Sequence, residues 1–385
     1  MKKLAIVSTH PIQYYAPIFK LLHQRNNISI KVFYTLGNQE AEKYDPGFNK
    51  VVSWDIPLLE AYPYEWANNI AENPDTRSFK GIITPGLASQ IEKWQPDALL
   101  IFGWAYKSHL KLIRYFSKKI PVYFRGDSTI LRDTGLLKGL LKSAFLNWIY
   151  SHVDHAFYVG QNNKNYFLKY GLKQNQLSFA PHAIDNARFS ESRKEEAAEL
   201  RSSLKLKEDD ILILFAGKFE PIKNVDLLLQ AFINLNRQNV HLLLVGNGVN
   251  ENELRNHAVQ STLAENIHFL DFKNQSYMPV LYQAADLFCL PSKSETWGLS
   301  INEAMACGKA ILASDKVGCA IDLIQKDKNG AIFIEGDVNS LTECLKHLTA
   351  DKHLLASLGN NSRNMIKDWT FEHVAAAIEA KLLNG

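Results

Sequence analysis

The chain has 385 residues, too many for one ordinary core and suited to two domains. Its 46% hydrophobic and 22% charged content is that of a globular protein, and no apolar run nears the roughly eighteen residues of a membrane-spanning helix. The net charge of +3 hides an asymmetry: residues 1–183 carry 22 Lys and Arg against 13 Asp and Glu, and residues 184–385 carry 21 against 27. A basic half joined to an acidic half predicts that the first meets an anionic surface or substrate.

The start has basic residues but too short an apolar core for a signal peptide, and it reads as a buried strand over 4–8. A helix over 15–24 and a strand over 28–34 follow. Strands over 98–102, 122–124, 156–159 and 178–180 complete the first half. Between them, residues 136–150 place Leu137, Leu140, Leu141, Ala144, Phe145 and Trp148 on one apolar helical face. The span 107–142 around it holds nine basic and two acidic residues. Core packing is the commoner explanation of such a face, and contact with an anionic membrane is the other.

A charged stretch over 190–210, with a helix-forming run at 195–204, separates the halves. Asp209 and Asp210 within it read as solvated, and no Asp-x-Asp metal motif occurs. Strands over 211–216, 241–245, 267–270, 287–290 and 311–313 then alternate with helices. Short apolar runs alternating with helical patterns predict parallel sheets built from βαβ units. The fold class is therefore α/β: two Rossmann-like domains facing a central cleft, with ligands beyond the carboxyl ends of the strands. Cys289, Cys307, Cys319 and Cys344 show no metal or redox spacing and fit thiols in a reducing cytoplasm.

The most informative stretch is residues 292–308. Glu295 and Glu303 flank Thr296, Trp297, Gly298 and Leu299, where a turn enters a helix. A helix N-terminus presents unpaired N–H donors and about half a positive charge, and carboxylates accept strongly from hydroxyl groups. The combination predicts a pocket for a sugar attached to a phosphate. After the strand over 211–216 come Gly217, Lys218 and Lys223, whose ammonium groups are placed to converge on a diphosphate. Two solvated loop lysines are the plain alternative.

Lys218 and Lys223, then Val245-Gly-Asn-Gly248, then Glu295 and Glu303 occur in the order seen in retaining glycosyltransferases of family 4, which this chain resembles. The resemblance covers nearly the whole second half and, more weakly, the first. It implies the GT-B fold. It also implies an acceptor domain over 1–185, a nucleotide-sugar domain over 186–367 and a terminal helix over 368–385 that packs back on the first domain. Glu303 is expected at the ribose, Glu295 at the donor sugar, and the amides around Thr296, Trp297, Gly298 and Leu299 at the diphosphate. Lys218 and Lys223 would neutralise it. Lys218 stands where the family usually has arginine, which keeps the charge and loses the bidentate fork. Asp271, Phe272 and Lys273 match the segment whose backbone reads the nucleobase.

The first half departs from that pattern. No glycine pair follows the first strand, and His10 and Gln13 are the candidates to replace it. Arg125-Gly-Asp127 lacks the histidine that relatives often place there. Asp127 is taken as a positioning residue, and Arg125 and Trp104 as acceptor contacts, with a core role equally open for Trp104. His182 reads as structural.

The resemblance implies a retaining, metal-independent transfer of a sugar from a nucleotide-sugar donor to a glycan, lipid-linked or small-molecule acceptor, in the synthesis of cell-surface polysaccharide or glycoconjugate. It implies no cofactor beyond the nucleotide sugar as co-substrate and no nucleic-acid partner. The expected location is cytoplasmic, peripheral at the inner membrane face. A nucleotide-sugar epimerase on the same fold and an inactive sugar-nucleotide-binding partner are the alternatives.

Overall fold

The computed structural model describes residues 1–38, 43–45, 50–52, 54–131 and 136–385, except for the side chains of 43–45, 50–52 and 136–138. The chain forms two compact units. The first holds the segment from Met1, Pro57–Ala183 and Thr370–Gly385, and the second is mainly Ile184–Trp369.

In chain order the first unit supplies β1 (Lys3–Ser8) and β2 (Ser29–Tyr34). A short antiparallel ribbon, β3 (Lys43–Asp45) with β4 (Lys50–Val52), interrupts it and belongs to the second unit, which the sequence reading had placed in the first domain. Then come β5 (Tyr64–Trp66), β6 (Ala98–Phe102), β7 (Val122–Arg125), β8 (His155–Tyr158) and β9 (Leu177–Phe179). They form one parallel sheet in the order β5-β2-β1-β6-β7-β8-β9. Strands buried on both faces lose the polar–apolar alternation, which is why β1 and β6 read as continuous apolar runs. Period-two geometry sends Ala5, Val7, Leu99 and Ile101 to one core, and Leu4, Ile6, Leu100 and Phe102 to the other.

The terminal helix Phe371–Asn384 lies in that second core through Val374, Ala375, Ile378 and Leu382. Thr370 caps its start by accepting from the His373 N–H at 3.2 Å. Arg25, at the end of the helix Ala16–Arg25, holds the nearly buried Glu379 carboxylate at 2.8 Å, and Asn27 donates to it at 3.2 Å.

The helix Leu136–Tyr150 turns Leu146, Ile149 and Tyr150 inward. Leu140, Leu141, Phe145 and Trp148 are exposed, so the apolar face drawn from the sequence is not the one that packs on the core. The Leu137 side chain lies outside the described residues.

The second unit carries β10 (Ile211–Ala216), β11 (Val240–Val245), β12 (Ile267–Leu270), β13 (Leu287–Leu290), β14 (Ala310–Ser314) and β15 (Gly330–Phe333). Their order is β12-β11-β10-β13-β14-β15, all parallel. Both sheets run outward from their first strand in two directions, so each has a point where strand order reverses, the usual ligand position in open α/β sheets. Asp210 is not solvated as its sequence context suggested. It is 7% exposed, accepts from the Lys207 N–H at 2.7 Å, and lies 3.4 Å from His241 Nε2.

His109 is fully buried in the first unit, with Nδ1 2.9 Å from the Gly103 carbonyl and Nε2 2.8 Å from Thr35 Oγ1. Nδ1–H donates to the carbonyl, and the single Thr35 hydroxyl proton is shared between Nε2 and the Ser8 carbonyl at 3.2 Å. Burial pushes its pKa down to about 4 from an ordinary 6.5. The unfolded chain therefore binds a proton that the folded unit refuses. The stability of this unit should be complete above the ordinary value and fall as pH drops toward about 4, by on the order of 3 kcal/mol from this residue. Chemical unfolding across that range should show a shallower loss for His109→Gln than for the wild type; identical slopes would contradict the assignment.

Candidate active site

The carboxyl ends of β10, β11, β12 and β13 gather four loops of the second unit on one edge. The loop after β10 begins at Gly217, whose N–H donates to the Val245 carbonyl at 2.9 Å. Gly246, at φ 139°, passes so close beneath it that an added Cβ would sit 1.9 Å from the Gly217 oxygen. No side chain fits there, which gives the Val245-Gly-Asn-Gly248 turn a physical reason. Lys218, half-buried, follows Gly217.

Asn247, 6% exposed, does work the sequence did not disclose. Its amide donates to Asp271 Oδ1 at 3.2 Å and to Glu251 Oε2 at 3.0 Å, and its Oδ1 accepts from the Phe272 N–H at 3.0 Å. The Phe272 amide therefore serves the loop itself. The Lys273 ammonium lies over the Tyr277 ring at 5.2 Å.

The loop after β13 is fixed from two sides. The Lys293 N–H donates to the Ile222 carbonyl at 2.8 Å, which ties it to the lysine loop. The Glu295 N–H donates to Lys316 at 3.0 Å, and the Cys319 N–H donates to Trp297 at 2.9 Å. This brings Lys223 and Glu295 together: Nζ lies 2.5 Å from Oε1, which also accepts from Ser292 Oγ at 2.8 Å. The ion pair is largely shielded, with side chains 24% and 17% exposed.

Gly298 then turns the chain at φ 102° into the helix Leu299–Ala306. A Cβ there would lie 2.9 Å from Val317 Cγ1, in a backbone region that other residues rarely adopt. Trp297 is 3% exposed, donates to Asn302 Oδ1 at 2.9 Å and packs against Trp369, so its ring is structural and only its backbone faces the turn. Glu303 is likewise 3% exposed and accepts at 2.8 Å from the hydroxyl of the fully buried Tyr282. Tyr282 carried no sequence signal beyond an apolar helix position. The Ile301 N–H donates to the Gly298 carbonyl at 2.9 Å, so the helix head that suits an anion is formed by the Leu299 and Ser300 amides.

In the first unit, Thr9 Oγ1 lies 2.9 Å from His10 Nδ1, at the carboxyl end of β1, with Gln13 half-buried just beyond. Asp127 lies 3.7 Å from His182 Nε2, and the His182 ring stacks on Tyr15 at 6.3 Å. Burial lowers the His182 pKa, and Asp127 opposes that shift. His182 thus joins a polar group that the sequence reading left it out of. Arg125 is corrected the other way. It is 1% exposed and donates to the Ala180 and Pro181 carbonyls at 2.7 and 2.9 Å, so it braces the segment after β9 and does not reach an acceptor. Trp104 packs edge-on against Phe145 at 5.7 Å beside the core.

Residues 196–365 match the family model described as glycosyl transferases group 1. Over those residues the chain is similar to the glycosyl transferases of group 1. Among curated relatives, the D-inositol 3-phosphate glycosyltransferase of Gordonia bronchialis is 29% identical over 46% of this chain and 41% of its own. That of Jonesia denitrificans is 25% identical over 58% of this chain and 52% of its own. The chain thus spans about half the length of the curated relatives it matches. HepE of Anabaena, solved with UDP and glucose, aligns over 100% of both chains with a TM-score of 0.72 at 18% identity. Sucrose-phosphate synthase of Thermosynechococcus elongatus aligns over 100% of this chain and 98% of its own, with a TM-score of 0.76 at 18% identity. The fold shared with these structures is GT-B, built from two Rossmann-like domains.

Asn247→Ala should release the Asp271–Lys273 loop at a cost of about 1–3 kcal/mol. Hydrogen exchange at the Phe272 amide should quicken several-fold more than at β10; equal protection in both proteins would contradict the role given to Asn247.

Proposed function

We propose that the chain transfers a sugar from a nucleotide-sugar donor to a glycan, lipid-linked or small-molecule acceptor, with retention of anomeric configuration and without a metal ion. The observation that carries this reading is the pairing of two shielded carboxylates with a helix head on one sheet edge. Glu303, held by Tyr282, sits at the core side of the helix Leu299–Ala306, and Glu295, held by Lys223, lies just before its start. A carboxylate with one oxygen already fixed presents a preset acceptor geometry to a sugar or ribose hydroxyl. The helix head and Lys218 supply positive potential for a diphosphate.

In this reading the bond from the anomeric carbon to the diphosphate oxygen breaks while the bond to the acceptor oxygen forms on the same face. The acceptor proton passes to the departing diphosphate oxygen, so no separate general base is needed. Lys223 exchanges part of its contact with Glu295 for the growing phosphate charge, and Lys218 adds a second cation. His10, Gln13 and Asp127 are proposed on the acceptor side. The family match over 196–365 and the UDP and glucose bound by HepE support a nucleotide-sugar donor. Use of the product in cell-surface polysaccharide or glycoconjugate belongs to the same proposal.

A panel of UDP-, GDP- and ADP-sugars should yield nucleoside diphosphate only when a suitable acceptor is present, and a chelator should leave the rate unchanged. Lys223→Ala should lower kcat about 100-fold with a smaller effect on KM, as expected for a group that acts on charge developing in the transition state. Isomerised sugar without diphosphate release, or loss of activity with the chelator, would overturn the reading.

A further inference from the structure

A second site stands in the first unit, apart from the residues assigned to sugar transfer. A cavity of about 680 Å³ lies along the helix Lys107–Phe116. Lys107, Lys111, Arg114, Lys118 and His152 line it, and among the described residues none that lines it is acidic. Beside the lining residue Tyr115, Glu92 accepts from its hydroxyl at 2.9 Å and is neutralised by Lys119 at 3.1 Å. Positive charge gathered in a concavity repels itself unless an anion occupies it.

An independent observation points the same way. Thr84 lines the cavity, is 6% exposed, and its hydroxyl is buried without a hydrogen-bond partner, although its N–H donates to Ser108 Oγ at 2.7 Å. A buried hydroxyl left unpaired costs about 1–3 kcal/mol, which a phosphate oxygen accepting its proton would recover.

The wall of this cavity continues into the exposed apolar helix face. Arg114 lies 5.3 Å over the Trp148 ring, and the His152 ring meets the same indole at 5.4 Å. Phe145 stacks on Trp148 at 5.8 Å. Leu141 is one turn before Phe145, and Leu140 and Leu141 are 69% and 76% exposed. A soluble phosphate needs the cations alone; an anionic phospholipid uses the cations for its headgroup and the leucine–aromatic face for its acyl region.

We propose that this cavity binds the phosphate of an anionic phospholipid headgroup while Leu140, Leu141, Phe145 and Trp148 enter the bilayer interface. The site is independent of the donor reading, and its test does not use sugar transfer. The full chain is sedimented with vesicles of phosphatidylcholine alone and of phosphatidylcholine with phosphatidylglycerol. Binding is expected only to the second and should weaken with salt. Each basic residue near an anionic surface contributes about fivefold, so Lys111→Ala with Lys118→Ala should weaken partition on the order of 30-fold. Thr84→Val should weaken it several-fold while raising thermal stability, because it removes the unpaired hydroxyl. Leu140→Ser with Leu141→Ser should also weaken partition. Failure to bind phosphatidylglycerol vesicles, equal binding to both compositions, or wild-type partition by the lysine variant would overturn the proposal. If inorganic phosphate at matched ionic strength displaces the protein fully while the leucine variant binds as wild type, the occupant is a soluble phosphate and the lipid assignment fails.

Discussion

β10 pairs in parallel with β11 on one side and β13 on the other, and the second unit's chemistry depends on that arrangement. Parallel pairing puts every carboxyl end on one edge, and the reversal of strand order beside β10 opens space there for a ligand. Gly246, where a Cβ would sit only 1.9 Å from the Gly217 oxygen, lets two loops share that edge. The Ile222 carbonyl then meets the Lys293 amide, and Lys223 reaches Glu295 as a consequence. The acidic and basic side chains of the site are therefore positioned by backbone contacts before any ligand arrives, which lowers the ordering cost of binding.

Much of this was legible in the residues. β10, β13 and β6 fall where their apolar runs predicted, because strands buried on both faces have unbroken hydrophobic character. The short edge strands β5 and β15 escaped notice. Tyr64–Trp66 is too brief and too exposed to stand out, and Gly330–Phe333 opens on a glycine that reads as a turn. The two glutamates, the lysines and the glycine turn were found from sequence, because charged residues beside glycine at a strand end carry a local signal. Tyr282 and Asn247 were not, because what they do arises from partners 21 and 25 positions distant.

The first unit teaches the opposite lesson. Arg125 looked functional because a charged residue after a strand is conspicuous, yet it is buried and both of its terminal guanidinium nitrogens donate to carbonyls of the next segment. The helix Leu136–Tyr150 looked like core because apolar residues shared one face, yet a neighbouring set, Leu146, Ile149 and Tyr150, does the packing. In a helix with apolar residues nearly all round, periodicity alone does not choose between faces. Tertiary contact chose, and it left the aromatic face beside a basic cavity.

The central claim is that Glu303, set by the Tyr282 hydroxyl, holds the nucleotide of the donor. The most direct measurement is calorimetric titration of UDP, GDP and ADP into the wild type and Tyr282→Phe, which keeps the ring and removes only the hydroxyl. A hydrogen bond to a buried charged group contributes about 1.5–3 kcal/mol, so the preferred nucleotide should bind roughly 10- to 100-fold more weakly to the variant. Equal affinity in both proteins, with the variant's fold intact, would contradict the account.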